Sequence, residues 1–182
     1  MRIIAGEAKG RNLAGRNSNQ VRPTLNRVKE AIFNILGPVV PGCRVLDLFA
    51  GFGNLGLEAI SRGAKEVIFV EKEYKNTAII KKNLKTCGFE NRGIVQQNNV
   101  FNYLNTVNQK FDLIFMDPPY SQGLADKALK SICTHDVIYD DSLIILECYQ
   151  DDVINKPESL IQIKEKEYGD TRVDIYRRKG IG

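Results

Sequence analysis

The 182-residue chain predicts an α/β fold in which a mostly parallel, seven-stranded sheet ends in an antiparallel hairpin. From residue 44 onward, short apolar runs alternate with segments of helical periodicity, the pattern of βαβ units around a parallel sheet. Several of these runs are almost continuously apolar, as expected for a sheet covered on both faces. The last two segments instead alternate apolar with polar residues around Tyr168-Gly169-Asp170, which indicates the closing hairpin.

The segment before the sheet predicts a short hairpin and a helix. Residues 2–4 and 11–13 flank Gly6 and Gly10, a pattern typical of a β-hairpin. A polar loop follows over 14–20. Thr24 then offers an N-cap for a helix over 24–36, which Gly37-Pro38 ends.

The alternating segment predicts strands and helices in turn. Its strands are expected at 44–49, 67–71, 94–97, 111–116 and 142–147, its helices at 55–62, 75–86 and 124–132, and the hairpin strands at 160–167 and 171–178. The length favours a single domain over 1–182. Within it we expect a basic hairpin and loop at 1–23, a helix at 24–36 and a catalytic core at 44–182.

Composition excludes several classes of protein. A hydrophobic fraction of 43% and a charged fraction of 26% are typical of a globular protein. No apolar run approaches the about 20 residues of a membrane helix, and the N-terminus lacks a signal-peptide pattern, so we expect a cytoplasmic location without membrane association. The four cysteines form no CxxC pair, so we expect no metal. His135, the only histidine, is not accompanied by a nucleophile elbow.

Positive charge is concentrated at the N-terminus. Residues 1–30 contain seven Lys or Arg against two Glu, a net charge of +5 within a chain whose total is +4. This distribution is typical of an arm that binds a polyanion such as nucleic acid. A solvated surface face remains the alternative. No surplus amphipathic element suggests an oligomer, so we expect a monomer.

A glycine-rich turn joins the first strand of the sheet to its first helix. Gly51, Gly53 and Gly56 form a GxGxxG pattern, in which glycine permits a tight turn and close approach of a ligand to the backbone. Glu71 follows Gly51 by twenty residues and ends the second strand. A carboxylate at this position can accept hydrogen bonds from both ribose hydroxyls. The combination predicts a site for an adenosine-containing cofactor.

Charge favours S-adenosylmethionine over a dinucleotide as that cofactor. A dinucleotide places a pyrophosphate at the helix N-terminus, where Asp47 would repel it. Asp47 suits instead the ammonium group of S-adenosylmethionine. Asn99 follows the third strand, where its side chain can bind the adenine edge or serve only as a turn residue.

Asp117-Pro118-Pro119-Tyr120 ends the fourth strand, so it shares the carboxyl edge of the sheet with the glycine turn. The prolines stiffen the backbone and remove two N–H donors. The Asp117 carboxylate and the Pro118 carbonyl can then accept the two N–H groups of an aromatic amine and aim its nitrogen at a methyl group. Asp117 can also take the departing proton, and Tyr120 offers a face for base stacking.

These motifs resemble the RsmD family of bacterial methyltransferases, which act on guanine N2 of 16S ribosomal RNA. The resemblance covers nearly the whole chain. It includes RIIAG with KGR, RPT with RVKEAIF, LDLFAG with LGLEA, and DPPY, which occupy residues 2–6, 9–11, 22–24, 27–33, 46–51, 55–59 and 117–120. The glycine turn and DPPY indicate the superfamily, and the N-terminal segments narrow it to this family.

The resemblance implies a Rossmann-like class I methyltransferase fold with a short N-terminal hairpin and helix extension. It implies S-adenosylmethionine as cofactor and 16S ribosomal RNA, in the small ribosomal subunit or its precursor, as partner. The implied cofactor contacts are Asp47, Phe49, Ala50, Gly51, Gly53, Glu71, Lys72, Asn99, Val100 and Asp117. Catalysis is assigned to Asp117, Pro118, Pro119 and Tyr120, and RNA binding to Arg2, Lys9, Arg11, Arg22, Thr24 and Arg27.

Three other functions remain open from the sequence. A DNA methyltransferase acting on adenine N6 or cytosine N4 uses the same DPPY chemistry, although so short a chain shows no DNA-recognition domain. A nicotinamide oxidoreductase shares GxGxxG but leaves DPPY unexplained. A non-catalytic RNA-binding assembly factor would retain the fold without methyl transfer.

Overall fold

The computed structural model describes residues 1–15, 23–120 and 122–179. Seven strands form one sheet in the order β3-β2-β1-β4-β5-β7-β6, and only the last two are antiparallel to their neighbours. The strands are β1 (Arg44–Leu48), β2 (Glu66–Glu71), β3 (Gly93–Gln97), β4 (Phe111–Met116), β5 (Ile138–Tyr149), β6 (Leu160–Tyr168) and β7 (Thr171–Arg178). This architecture confirms the predicted α/β fold and its antiparallel end.

In the described part of the chain, five α-helices accompany the sheet. They are α1 (Pro23–Leu36), α2 (Asn54–Ser61), α3 (Tyr74–Cys87), α4 (Val100–Thr106) and α5 (Leu124–Thr134), and a short 3-10 helix (Gly37–Val39) follows α1. The inner strands β1 and β4 are almost fully buried, since apolar clusters cover both sheet faces. Within the described ranges, no helix is both long and apolar enough to cross a membrane.

Strand order places the point where the chain reverses direction between β1 and β4. From β1 the chain proceeds outward through β2 to β3, and it then returns to form β4 on the other side of β1. The helices that follow β1 and β4 therefore leave in opposite directions along the sheet. A crevice opens at the carboxyl ends of the two strands, the position where open α/β sheets bind ligands.

Three local differences from the sequence expectations have physical causes. Helix α1 begins at Pro23, so Thr24 lies inside its first turn and the predicted N-cap was wrong; proline is favoured at that first position. Helix α4 was not predicted, because seven residues are too few to show a clear helical period. Strand β5 is longer than expected because Ser142 donates to the Phe111 carbonyl and stabilises an irregular register there.

The predicted N-terminal hairpin is present and packs against α2. Arg2 and Asn12 form its antiparallel bridge, and the side chains of Ile3 and Leu13 are buried in the core on one sheet face. Ser61, the last residue of α2, accepts from the Ala8 N–H at 3.0 Å through its hydroxyl oxygen. The hairpin is therefore attached to the helix that follows the glycine turn.

A buried ion pair completes this attachment. The Lys29 ammonium on α1 lies 3.2 Å from the Glu58 carboxylate on α2, and both side chains are at most 1% exposed. Lys29 also donates to the Arg2 carbonyl at 2.7 Å and to the Asn54 side chain at 2.9 Å, so all three of its N–H groups have acceptors. Burial lowers the pKa of Lys29, and the adjacent Glu58 charge opposes that shift.

Both oxygens of the Glu58 carboxylate also accept hydrogen bonds. Its carboxylate accepts the backbone N–H groups of Ile4 at 2.8 Å and Ala5 at 3.0 Å, and it accepts from the Arg62 guanidinium at 2.8 Å. A buried carboxylate with this many donors avoids the large cost of removing an isolated charge from water. The hairpin, α1 and α2 thus share one polar centre.

We expect Glu58→Ala to lower the free energy of unfolding by about 3–5 kcal/mol, because it leaves the Lys29 charge buried without its anion. Chemical denaturation followed by circular dichroism measures the loss. Asp140→Ala is the control, since it removes an exposed ion pair with Arg178 and should cost less than about 1 kcal/mol. Equal losses in the two variants would contradict a stabilising role for the buried pair.

Candidate active site

Asp47 lies near the end of β1, next to helix α2, and lines the crevice. The side chain is 4% exposed, and its Oδ2 accepts the Gly56 N–H at 2.9 Å. Gly56 has no room for a side chain, because a Cβ there would lie 2.3 Å from Cε1 of Phe69 and 2.9 Å from Oδ2 of Asp47. The third glycine of the motif thus permits close packing of α2 on the sheet.

The glycine turn folds sharply between β1 and α2. Gly51 and Gly53 have φ values of 55° and 80°, a left-handed conformation that glycine adopts at no steric cost. Phe49 also has a positive φ of 59°, which is unusual for an aromatic residue and indicates strain often found at ligand sites. Ala50, between these residues, is buried.

Glu71 ends β2 and supports the turn. Its Oε2 accepts the Gly51 N–H and its Oε1 accepts the Glu73 N–H, both at 2.8 Å. A carboxylate has about four acceptor positions, so two remain for ligand hydroxyls. Lys72, the next residue, extends into solvent.

Asn99 caps helix α4. Its Oδ1 accepts the Phe101 N–H at 2.9 Å, and Val100 behind it is buried. The cap leaves the amide N–H groups of Asn99 available for a neighbouring ligand. The turn function that the sequence allowed for this residue is therefore present, and it does not prevent an adenine contact.

Asp117, Pro118, Pro119 and Tyr120 follow β4 directly. Pro118 is buried, whereas the ring of Tyr120 is 45% exposed and lies 6.4 Å from the Tyr149 ring, measured between centroids. Burial is the main cause that raises the pKa of Tyr120 to about 12, so its hydroxyl stays protonated at neutral pH. Tyr120 thus presents a partly exposed aromatic face beside Asp117.

One cavity brings the ends of several elements together. Its lining residues are Lys29, Asp47, Phe49, Ala50, Asn54, Leu55, Asp117 and Glu147. Four of these were predicted cofactor ligands, and Glu147 was missed. A charged residue that ends an apolar strand was the available signal, and the same signal had identified Glu71.

Acidic side chains dominate this cavity, and their pKa values are raised. Burial and then the Asp117 charge raise the pKa of Glu147 to about 8. Loss of hydration to the surrounding protein raises the pKa of Asp117 to about 6, although the residue as a whole is exposed. For Asp47, burial and the charges of Asp117 and Glu71 together raise the pKa well above its ordinary value. A cationic ligand would relieve this repulsion, whereas a pyrophosphate would increase it.

The predicted RNA-binding residues differ in position. Arg2, Lys9, Arg11 and Arg27 are exposed, whereas Arg22 and the side chain of Thr24 lie outside the described residues. Lys29 contributed to the positive charge counted for the arm, yet it is buried in the ion pair with Glu58. In the described parts of the chain, no three His, Cys, Asp or Glu side chains form a group suited to a metal ion.

Comparison with known proteins identifies the family. The model of the family described as "Conserved hypothetical protein 95" matches residues 1–177. The Haemophilus influenzae protein named "Ribosomal RNA small subunit methyltransferase D" is 38% identical over 180 residues, which cover 97% of this chain and 93% of that protein. The chain belongs to the RsmD family.

Two further proteins match over nearly the whole chain. Bacillus subtilis YlbH is 38% identical over 186 residues, covering 99% of this chain and 100% of its own. The solved structure of Escherichia coli yhhF superposes with a TM-score of 0.88 at 31% identity, covering 100% of this chain and 99% of that one. The fold is that of class I methyltransferases.

The raised pKa of Glu147 predicts a loss of stability as pH rises. The folded state holds this proton more tightly than the unfolded state, so the stabilisation is present below the unfolded value of 4.5 and is lost as pH approaches about 8. We therefore expect Glu147→Gln to flatten the fall in the free energy of unfolding over that range. Urea titrations at a series of pH values measure this.

Glu90→Gln serves as the matched control, because Glu90 is exposed in the loop after α3. The free energy of unfolding of Glu90→Gln should change with pH in the same way as that of the unaltered protein. Parallel curves for Glu147→Gln and the unaltered protein would contradict the proposed origin of the pH dependence.

Proposed function

We propose that this protein transfers a methyl group from S-adenosylmethionine to the exocyclic N2 amine of a guanine in 16S ribosomal RNA. The observation that carries the proposal is the position of DPPY beside an acidic cavity and a glycine turn. In this cavity Asp117 of DPPY and Asp47 of β1 face the same space. A cofactor site and an amine-holding site therefore adjoin at the carboxyl edge of one sheet.

The charges in the site fit this cofactor. Asp47 and Glu71 keep acceptor capacity beyond the Gly56 and Gly51 amides, so they can hold an ammonium group and ribose hydroxyls respectively. When bound, S-adenosylmethionine supplies an electrophilic methyl group on a positively charged sulfur. The remaining predicted contacts at Phe49, Ala50, Gly53, Lys72, Asn99 and Val100 belong to the same proposal.

DPPY supplies what an aromatic amine requires. The amine lone pair is delocalised into the ring, so the nitrogen is a weak nucleophile and its reaction depends on position. Asp117 and the Pro118 carbonyl each accept one N–H, which directs the nitrogen toward the methyl group. Pro119 keeps this segment rigid, and the ring of Tyr120 stacks on the base. The base must first leave its helical stack.

The relatives' names support ribosomal RNA as the substrate. Those called ribosomal RNA small subunit methyltransferase D act, by that name, on the small-subunit RNA. We extend this substrate to the present chain and propose the small ribosomal subunit or its precursor as its partner. The residues proposed to bind the RNA are Arg2, Lys9, Arg11, Arg22, Thr24 and Arg27. The proposal includes a single catalytic domain over 1–182 that acts as a cytoplasmic monomer.

The reaction is tested with labelled S-adenosylmethionine and small ribosomal subunits that lack the modification. We expect label in N2-methylguanosine when the RNA is digested and its nucleosides are identified by mass. Free RNA and DNA are assayed in parallel. Label in methylated adenine or cytosine of DNA would show that DNA is the substrate instead of ribosomal RNA. RNA binding without methyl transfer would favour a non-catalytic assembly factor.

Asp117→Ala should abolish turnover and leave affinity for S-adenosylmethionine nearly intact, because Asp117 holds the amine rather than the bulk of the cofactor. Single-turnover methyl transfer and equilibrium binding are measured on the same preparation. Glu90→Gln is again the control and should behave as the unaltered protein. Normal turnover by Asp117→Ala would remove Asp117 from the mechanism.

A further inference from the structure

Two carboxylates stand side by side at the carboxyl edge of the sheet. Met116, the last residue of β4, pairs with Leu146 on β5 in parallel register, so the residues that follow them, Asp117 and Glu147, are neighbours at this edge of the sheet. Both line the same cavity. The fold therefore brings a second acid next to the one assigned to the amine.

Glu147 differs from the other buried acids in having no protein partner. Its side chain is 6% exposed, yet the described residues provide no hydrogen bond or ion pair to its carboxylate. Glu58 and Asp174, by contrast, are held by arginine and other donors. Within the described residues no fully buried side-chain oxygen lacks a partner, so the Glu147 oxygens, which have no donors, open into the cavity, where a ligand or a proton can reach them.

We propose that Glu147 shares with Asp117 the proton that leaves the target amine. The inference rests on the proposed function. In the balanced step, the amine nitrogen forms a bond to the methyl carbon, the carbon–sulfur bond breaks, and its electron pair stays on sulfur. One N–H proton then passes to Asp117 and is held between the two carboxylates until the product leaves.

The charges around the pair support this order of events. Lys29 from α1, Asp47 from β1 and Asp117 after β4 line the cavity with Glu147, and the Glu147 charge also acts on Tyr120. On the other side of β5, Glu147 pairs with Val173 of β7, between Arg172 and Asp174, which bind each other. Lys29 is already committed to Glu58, so it does not neutralise the pair. A cationic ligand in the cavity favours two ionised carboxylates. When the methyl group is transferred, the sulfur loses its positive charge. The two carboxylates then regain their affinity for a proton, as the methylated amine releases one.

Glu147→Gln tests the inference, because it keeps the shape and removes the titratable group. We expect single-turnover methyl transfer to fall about 100-fold, with Glu147→Asp retaining intermediate activity. The pH–rate profile should lose its step near pH 8 and keep the step near pH 6. Glu90→Gln, a control at the opposite edge of the sheet, should match the unaltered protein in both respects.

Carboxyl NMR of the free protein gives a readout that needs neither RNA nor cofactor. In the unaltered protein, Asp117 should titrate in two steps, near pH 6 and pH 8, since it senses the proton on Glu147. In Glu147→Gln, the step near pH 8 should disappear and only the step near pH 6 should remain. An unchanged Asp117 titration in this variant would overturn the inference, as would an unchanged rate and pH profile.

The two readouts separate this inference from the proposed function. If the unaltered protein methylates no guanine, the proposed function fails, and the NMR titration still decides whether the two carboxylates share a proton. If guanine is methylated and Glu147→Gln is as active as the unaltered protein, only the inference fails.

Discussion

Crowding of carboxylates at the carboxyl edge of β1, β4 and β5 is the constraint on which the site depends. Asp47 on β1, Asp117 directly after β4 and Glu147 on β5 come from three neighbouring strands and line one cavity. Each raised pKa represents free energy lost when the group ionises in the folded protein. Lys29 reaches this cavity, but its three N–H groups are directed to other acceptors. The carboxyl groups therefore resist ionisation until a cationic ligand enters the cavity and favours their charged forms, an arrangement more typical of functional sites than of stabilising ones.

Helix α2 links this cavity to the N-terminal hairpin. Asn54, its first residue, lines the cavity and accepts from Lys29. Glu58, about one turn later, binds the hairpin backbone and the same lysine. Since these contacts form one polar network, the exposed arginines of the hairpin are held at a defined position relative to the cavity. The proposed RNA contacts and the reacting groups thus share a rigid connection through α1 and α2.

The sequence predicted those features that depend on local pattern and spacing. Alternating strands and helices, the glycine turn and the acid that ends β2 all leave such a signal, and each is present in the structure. The burial of Lys29 left none, because its partner Glu58 is distant in sequence and a charged residue on a helix is ordinarily exposed. Glu147 was visible only as an acid ending a strand. Its lack of donors depends on three-dimensional packing, which periodicity does not report.

The same contacts explain why a glycine-rich turn can serve a cofactor without phosphate. In a dinucleotide site, the N-terminus of the following helix offers free N–H groups to an anion. Here the Gly56 N–H in the first turn of α2 already donates to Asp47, whose carboxylate adds negative charge at that helix end. Glu71 likewise accepts the Gly51 N–H. Carboxylates thus take the donors that a pyrophosphate requires and repel it, while their remaining lone pairs suit hydroxyl and ammonium groups. The motif therefore provides the shape of the turn, and the acids around it select the charge of the ligand.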